Sequence, residues 1–370
     1  MRNKGAYFLY LVIIFLIAVY GFKKPNYNWD LLAYMAVVLN HDHQDPIWVH
    51  DSVYAIAKKQ LPAAPYGQLV DGGLDFRKKL ATDPLAFYQQ MPFYAVKPLY
   101  TGMIYVFYKT GIPLVQASLL PSLIGFLLIG LLLLFWIRRY MQLGFALVFS
   151  ILTMLSAPVW EVLHSFTPDC LSAFFLLTAI YFVFEKKSLL GVFIFLLLSI
   201  LVRLDNIIPT FFIISLLCFS VSWGPKISIP QYVLILVGLL IAFFSISFSM
   251  RRFGWNILYY PSFLHSMNSS YSFQPAFQIR AYLHLAFSHL MAGLFSSNLF
   301  LFLALAVLAF VKKNLQIRRL NFDQWFLCTL ILIMAIRFLL QPIITDRIYI
   351  AYYLTILILV VRRSQEAIPR

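Results

Sequence analysis

Charge is scarce in this chain, and acidic charge is scarcest: 12% of its 370 residues are Asp, Glu, Lys or Arg, with 14 acids against 29 bases. A soluble domain carries about 25% charged residues, so an ordinary water-soluble fold is excluded. Cysteine is nearly missing as well. Cys170, Cys218 and Cys328 stand singly in or beside apolar runs, which leaves no disulfide framework and no cysteine metal site to build. There is no glycine-rich phosphate loop and no internal repeat. Nor are there short segments of alternating apolar and polar side chains, as the strands of a membrane barrel require.

What fills the space is hydrophobic: 62% of the residues are apolar and 18% are Phe, Trp or Tyr. Runs such as Leu123–Trp136 are apolar on every face. In lipid such a run can satisfy its backbone only as a helix. The expected fold is therefore all-α, a polytopic helical membrane protein of one integral membrane domain over residues 1–370. The net charge of +15 sits largely in pairs beside apolar runs, the flank that faces the cytoplasm. It does not call for nucleic acid.

The first span is expected over Ala6–Phe22, with Arg2 and Lys4 holding the N-terminus inside and no small-residue cleavage pattern, so it reads as a retained anchor. The chain then emerges at Tyr27-Asn28-Trp29-Asp30, where Asp30 is the first acid. A first extracytoplasmic loop over 23–94 follows. Within it, Leu31–Val38 and Trp48–Leu61 carry apolar residues at helical spacing, Asn28 or Asp30 is available as a cap, and both segments read as helices lying on the membrane surface. Lys97–Tyr108 reads as short or re-entrant, because a full span there would turn Arg138 and Arg139 outward. Spans are then expected at Pro113–Trp136, Leu143–Val159, Cys170–Phe184, Leu189–Val202, Ile207–Val221, Tyr232–Phe248, within Leu290–Phe310, at Trp325–Leu340 and at Ile348–Val361. A second long outer loop covers 250–281. This gives about ten or eleven transmembrane helices, with both termini cytoplasmic.

On this topology Asp30, Asp169, Arg203, Asp205, Asp346 and Arg347 all fall at outer helix ends, where ionic side chains mark a site. Each has a plainer alternative. Asp30 and Asp169 would cap helices, Arg203 and Asp205 would pair with each other, and Arg347 would anchor at the interface. Lys97 either snorkels or meets a lipid phosphate, and His164 is either a wall residue or a hydrogen-bond donor. Arg337, inside an apolar run, is expected to pair or snorkel. His41-Asp42-His43 reads as a hydrated turn, or as metal ligands together with Asp30.

The order of these features resembles the polytopic glycosyltransferases of the GT-C superfamily. The resemblance lies in one span and a large outer loop opening near Asp30, Lys97-Pro98 at the next apolar stretch, a span ending in Arg138-Arg139, a loop ending Pro168-Asp169, a helix closing at Lys186-Lys187, Arg203 with Asp205 beyond it, and Thr345-Asp346-Arg347 opening the last span. It implies transfer of a sugar from a polyprenyl-phosphate donor to a lipid, glycan or protein acceptor at the outer face, in a bacterial cytoplasmic membrane. Carried onto this chain, Asp30 is the catalytic base. Lys97, Arg203 and Arg347 hold the donor phosphate, and Asp169 and Asp205, with His164 and Asp346, bind substrate. Many members have two adjacent acids in the first loop, whereas Asp30 stands between Trp29 and Leu31. The cofactor expectation is accordingly none, with a divalent metal at Asp30, His41, Asp42 or His43 as the alternative. A transporter or flippase of a lipid-linked or anionic solute, and a polymerase of lipid-linked carbohydrate, are the rival functions.

Overall fold

Wherever the hydropathy is high the chain forms helix, since only an internally bonded backbone can leave water. The computed structural model describes residues 2–220, 227–250, 277–310 and 321–366. Among these the β pairing is one isolated bridge between Asn26 and Ser165. The first half contains α1 (Arg2–Lys23), α2 (Asp30–Leu39), α3 (Pro46–Gln60), α4 (Ala63–Val70), α5 (Asp75–Thr82), α6 (Pro84–Tyr88), α7 (Pro92–Ala95), α8 (Pro98–Lys109), α9 (Leu114–Ile137), α10 (Leu143–Met154) and α11 (Ala157–His164). The second contains α12 (Asp169–Tyr181), continued by a π-helical turn Phe182–Lys186, then α13 (Leu189–Val202), α14 (Ile207–Phe219), α15 (Ile229–Ser249), α16 (Ile279–Ser296), α17 (Leu299–Phe310), α18 (Phe322–Leu340) and α19 (Asp346–Glu366). Most of the second outer loop and the basic stretch 312–319 lie outside the described residues.

Four of these helices are long and apolar enough to cross a membrane: Lys4–Lys23 of α1, α9, α15 and α18. Two bent pairs, α10 with α11 at 58° and α16 with α17 at 76°, bring the number to six. The protein is thus an all-α chain of the multi-spanning membrane class. Its 12-residue α8 is too short to span, as a full crossing needs about 20 residues. The outward faces of α1 and α15 carry exposed Phe8, Phe15, Leu234 and Phe248, side chains that suit lipid.

α12 lies at the centre, packed on α9, α13 and α19. Its first turn is held by α9 in two ways. Ser122 Oγ donates toward the carbonyls of Ser165 and Thr167 at 2.9 and 3.0 Å, fixing the chain that leads into the helix. Gly125 lets the backbones touch: a Cβ there would meet Leu171 N at 2.7 Å and the Cys170 carbonyl carbon at 2.8 Å.

The first loop departs from expectation. Leu31 through Leu39 are all buried, so α2 is a core helix and not a surface one. Beyond Asp30 it is apolar on every side except for Tyr34, and a helix of that kind is buried. α3 keeps the expected amphipathic character. Val49, Val53 and Ala57 face inward and Lys58 and Lys59 are exposed, with Asp45 capping it by accepting from Ile47 N at 3.1 Å.

Candidate functional site

Neither Asn28 nor Asp30 caps α2. Trp29 occupies the cap position without a side-chain bond and Asp30 is the first helical residue. Its carboxylate turns instead to groups from elsewhere in the chain. Oδ1 accepts from Tyr94 OH at 3.0 Å. Oδ2 accepts from Asn28 Nδ2 at 3.3 Å and faces Arg347 Nη1 at 3.6 Å. Asp169 likewise opens α12 without capping it; it is 5% exposed and meets two guanidiniums, Arg203 directly and Arg347 Nε at 3.7 Å.

From Asp169 the charges continue inward. Arg203 ends α13, and its fork grips Asp205 through Nε at 3.1 Å and Nη2 at 2.9 Å. Asp205 lies in the tight turn Leu204–Asn206 and also contacts Arg337 Nη2. Arg337 Nη1 donates to Tyr352 OH at 3.3 Å. Burial would raise the Asp205 carboxyl's pKa, but Arg203 and Arg337 outweigh it and hold that carboxyl well below the usual range. Lys97, in the turn between α7 and α8, donates to Tyr34 OH at 2.6 Å and sits 4.9 Å from the ring centres of both Tyr34 and Tyr94. Burial pushes its amine down to about 8, with Asp30 opposing part of the shift.

Lys97, Arg203, Arg337 and Arg347 thus gather with Asp30, Asp169 and Asp205, and Glu161 stands near Arg347 as a fourth carboxylate. The two halves of the cluster differ. The Asp169–Arg203–Asp205–Arg337 chain is bonded tightly, whereas the Arg347 guanidinium faces Asp30 and Asp169 only at ion-pair distances beyond hydrogen-bonding range and is 29% exposed. A guanidinium so held is available to a better partner. Beside it a small cleft of about 10 Å³ lies between α12, the α13–α14 turn, α18 and α19, walled by Asp169, Arg203, Asn206, Arg337, Arg347 and Tyr352.

Two of the sequence candidates bond elsewhere. Asp346 accepts from Asn298 N at 2.9 Å and Asn298 Nδ2 at 2.5 Å, bracing the elbow between α16 and α17. His164 bonds the Trp160 carbonyl through Nδ1 at 2.8 Å and packs at a tilt against the Trp160 ring, 4.7 Å between centres. The metal candidates are divided. His41 packs on Tyr105 and His43 on Trp48. Asp42 binds Lys109 at 2.8 Å, and that contact holds its carboxyl below the usual range. They lie beyond the end of α2 opposite Asp30, about 14 Å along the axis at 1.5 Å per residue, so the four residues do not fit one ion. Among the described residues no three His, Cys, Asp or Glu side chains gather to hold a metal.

Three members of the cluster were not named as site residues from sequence: Arg337, Tyr34 and Tyr94. Arg337 did carry a signal, an arginine in an apolar helix needing a partner. The tyrosines carried none, since the chain has 22 of them and only packing tells them apart. Comparison with family models, with curated proteins and with solved structures gives no match.

Proposed function

We propose that this protein is a GT-C-like membrane glycosyltransferase that moves a sugar from a polyprenyl-phosphate donor to a hydroxyl acceptor at the extracytoplasmic face of a bacterial membrane. The observation that carries this reading is the convergence of Asp30, Lys97, Asp169, Arg203 and Arg347. They come from distant stretches of chain and bring two acids and three cations together, with Asp169, Arg203 and Arg347 lining the cleft.

The chemistry needs both. As the acceptor oxygen bonds to the anomeric carbon, the bond from that carbon to the phosphate oxygen breaks and its electron pair leaves on phosphate. The acceptor's proton must go to a base. Arg347, with a planar fork that matches phosphate oxygens, and Lys97 take up the growing negative charge. Arg203 is already gripped by two carboxylates, so its part is to fix Asp169 in the wall and tie it to Asp205. Movement of Arg347 onto phosphate also releases Asp30 Oδ2, which then accepts the acceptor proton. Donor binding and the exposure of the base are thereby linked through one side chain.

The six spans and bent pairs, with α13 and α14 added as short crossings of a thinned bilayer, go part of the way to the ten or eleven crossings that a GT-C-like arrangement is expected to have. The transporter reading is weaker on one observation. A second charge cluster, Glu185 with Arg139 and Arg362, lies at the far ends of α12 and α19. Asp169 and Glu185 are about 24 Å apart at 1.5 Å per residue. Between the two clusters Leu176, Leu177, Ile180, Val183, Ile356 and Leu359 are buried, an apolar seal where a passage would run. Assay of the purified protein with polyprenyl-phosphate-linked and nucleotide-linked sugars tests the proposal, which predicts turnover of the lipid-linked donor alone. Preference for the nucleotide-linked donor defeats it.

A further inference from the structure

At the end of the protein away from the cleft, the carboxylates are already taken. Glu185 accepts from Trp136 Nε1 at 3.1 Å and from Tyr140 OH, and it meets Arg139 Nε at 2.7 Å. Arg362 lies between Glu185 at 3.9 Å and Asp323 at 3.4 Å. Arg138, the residue before Arg139, lies instead over the Tyr7 ring of α1, 5.0 Å from its centre. Lys4 is one helical turn before Tyr7. Both cations are exposed, and among the described residues neither pairs with a carboxylate.

The two are brought together because α1 and α9 pack antiparallel. Tyr10 OH donates to the Gly130 carbonyl at 2.7 Å, and a Cβ on Gly130 would sit 3.3 Å from the Ile14 side chain. Further along α9, Arg138 reaches back to Tyr7. Lys4 therefore stands level with the end of α9, and Arg138 lies at the seam between the helices. Each cation heads a stripe of bare apolar side chains. On α1, Lys4 is followed at helical spacing by exposed Phe8, Leu11 and Phe15; on α9, Arg138 is preceded by exposed Phe135 and Leu131. Both helices are long and apolar enough to cross a membrane, so these stripes face acyl chains.

Two apolar stripes that meet at a pair of unneutralised cations complement two acyl chains that meet at one negative headgroup. A soluble anion would engage the cations and leave the stripes bare. A zwitterionic lipid would bring an ammonium of its own to a site that is already positive. We infer that Lys4 and Arg138 form a binding site for one anionic phospholipid, its phosphate between the ammonium and the guanidinium and its chains along α1 and α9. The site is at the other end of the molecule from Asp30 and stands whether or not the protein transfers sugars.

The test uses the full chain in a neutral detergent and reads lipid binding by native mass spectrometry. Dioleoyl phosphatidylglycerol, dioleoyl phosphatidylcholine and the tail-free headgroup glycerophosphoglycerol are titrated separately. Wild type should hold one phosphatidylglycerol about twentyfold more tightly than phosphatidylcholine, two cations at about fivefold each. Lys4→Gln combined with Arg138→Gln should remove that preference, and Lys4→Arg combined with Arg138→Lys should keep it. Lys58→Gln combined with Lys59→Gln takes the same charge from exposed positions on α3 and should leave the preference unchanged. All four side chains are exposed, so the melting temperature in phosphatidylcholine should stay close to that of wild type in every variant. Equal affinity for the two lipids, an equal loss in the two glutamine pairs, or binding of the tail-free headgroup as tight as that of the whole lipid overturns the site.

Discussion

At the residue scale the decisive groups are Asp30 and Lys97, which differ in what their surroundings do to them. Asp30 is held by Tyr94, Asn28 and Arg347 and caps nothing. Asp30→Asn should therefore fold normally, keep the Tyr94 bond and bind donor at least as well, while turnover falls by about 10²–10⁴. Donor binding measured beside transfer rate separates loss of a base from loss of the site, and near-normal transfer would remove Asp30 as the base. Lys97 is a buried amine whose pKa is down at about 8 from the ordinary lysine value of 10.5. Between those values the unfolded chain holds a proton that the folded one has released, so the contribution of Lys97 to stability rises with pH across that window. Its contribution to donor binding goes the other way, since the neutral amine no longer attracts phosphate. The donor KM should climb as pH passes about 8. In Lys97→Met, which fills the Tyr34–Tyr94 cage without a charge, the KM should be raised at neutral pH and nearly flat above it. Thermal stability should be no lower than wild type. A Lys97→Met protein with wild-type KM and the same pH response would separate Lys97 from the donor.

At the scale of elements, the site depends on how closely α9 and α12 approach. Gly125→Ala puts a methyl carbon against the Leu171 and Cys170 backbone at under 3 Å, where no side chain can yield. It should destabilise by about 1–3 kcal/mol and shift the first turn of α12, so that turnover falls by more than the lost folded fraction. Gly144→Ala in α10 has no atom within 4 Å and should be neutral or stabilising by up to about 1 kcal/mol. Melting temperature and turnover of the pair check this. Equal turnover per folded molecule would mean that Asp169 tolerates the shift. The same elements indicate what sequence can reveal. Leu189–Val202 was legible to the residue because polar Ser188 and Arg203 bracket an unbroken apolar run, and Ser188 does cap Gly191 N. α2 was misread because a helix that is apolar all round also has an apolar face, and helical spacing alone cannot separate a stripe from a full cylinder. The breaks in α10–α11 and α16–α17 were passed over as continuous spans, since hydropathy barely changes across them.

At the scale of the whole molecule, sequence placed Asp30, Asp169, Arg203 and Arg347 on one side by counting spans, but it had no means of finding their partners. Which carboxylate meets which guanidinium depends on how α2, α12, α13 and α19 pack, and a short degenerate motif does not record that. The opposite end supplies the complementary test. Arg139 just after α9 and Arg362 from α19 converge on Glu185, in the turn that continues α12, while Arg138, Lys186 and Arg363 neighbour them in sequence. Basic pairs from three helices therefore collect at one end of the protein, and positive residues gather on the cytoplasmic side. With that end inside, Asp30 and the cleft beside Arg347 would face outward, as the proposed outer-leaflet donor requires. Lys58 on α3 and Lys186 beside Glu185 are both exposed and belong to the opposite ends. With Cys170, Cys218 and Cys328 replaced, Lys58→Cys should react with a membrane-impermeant maleimide in intact cells, and Lys186→Cys only after the membrane is opened. The reverse pattern would turn the cleft toward the cytoplasm, where nucleotide-linked sugars are made, and the outer-leaflet donor would fall with the topology.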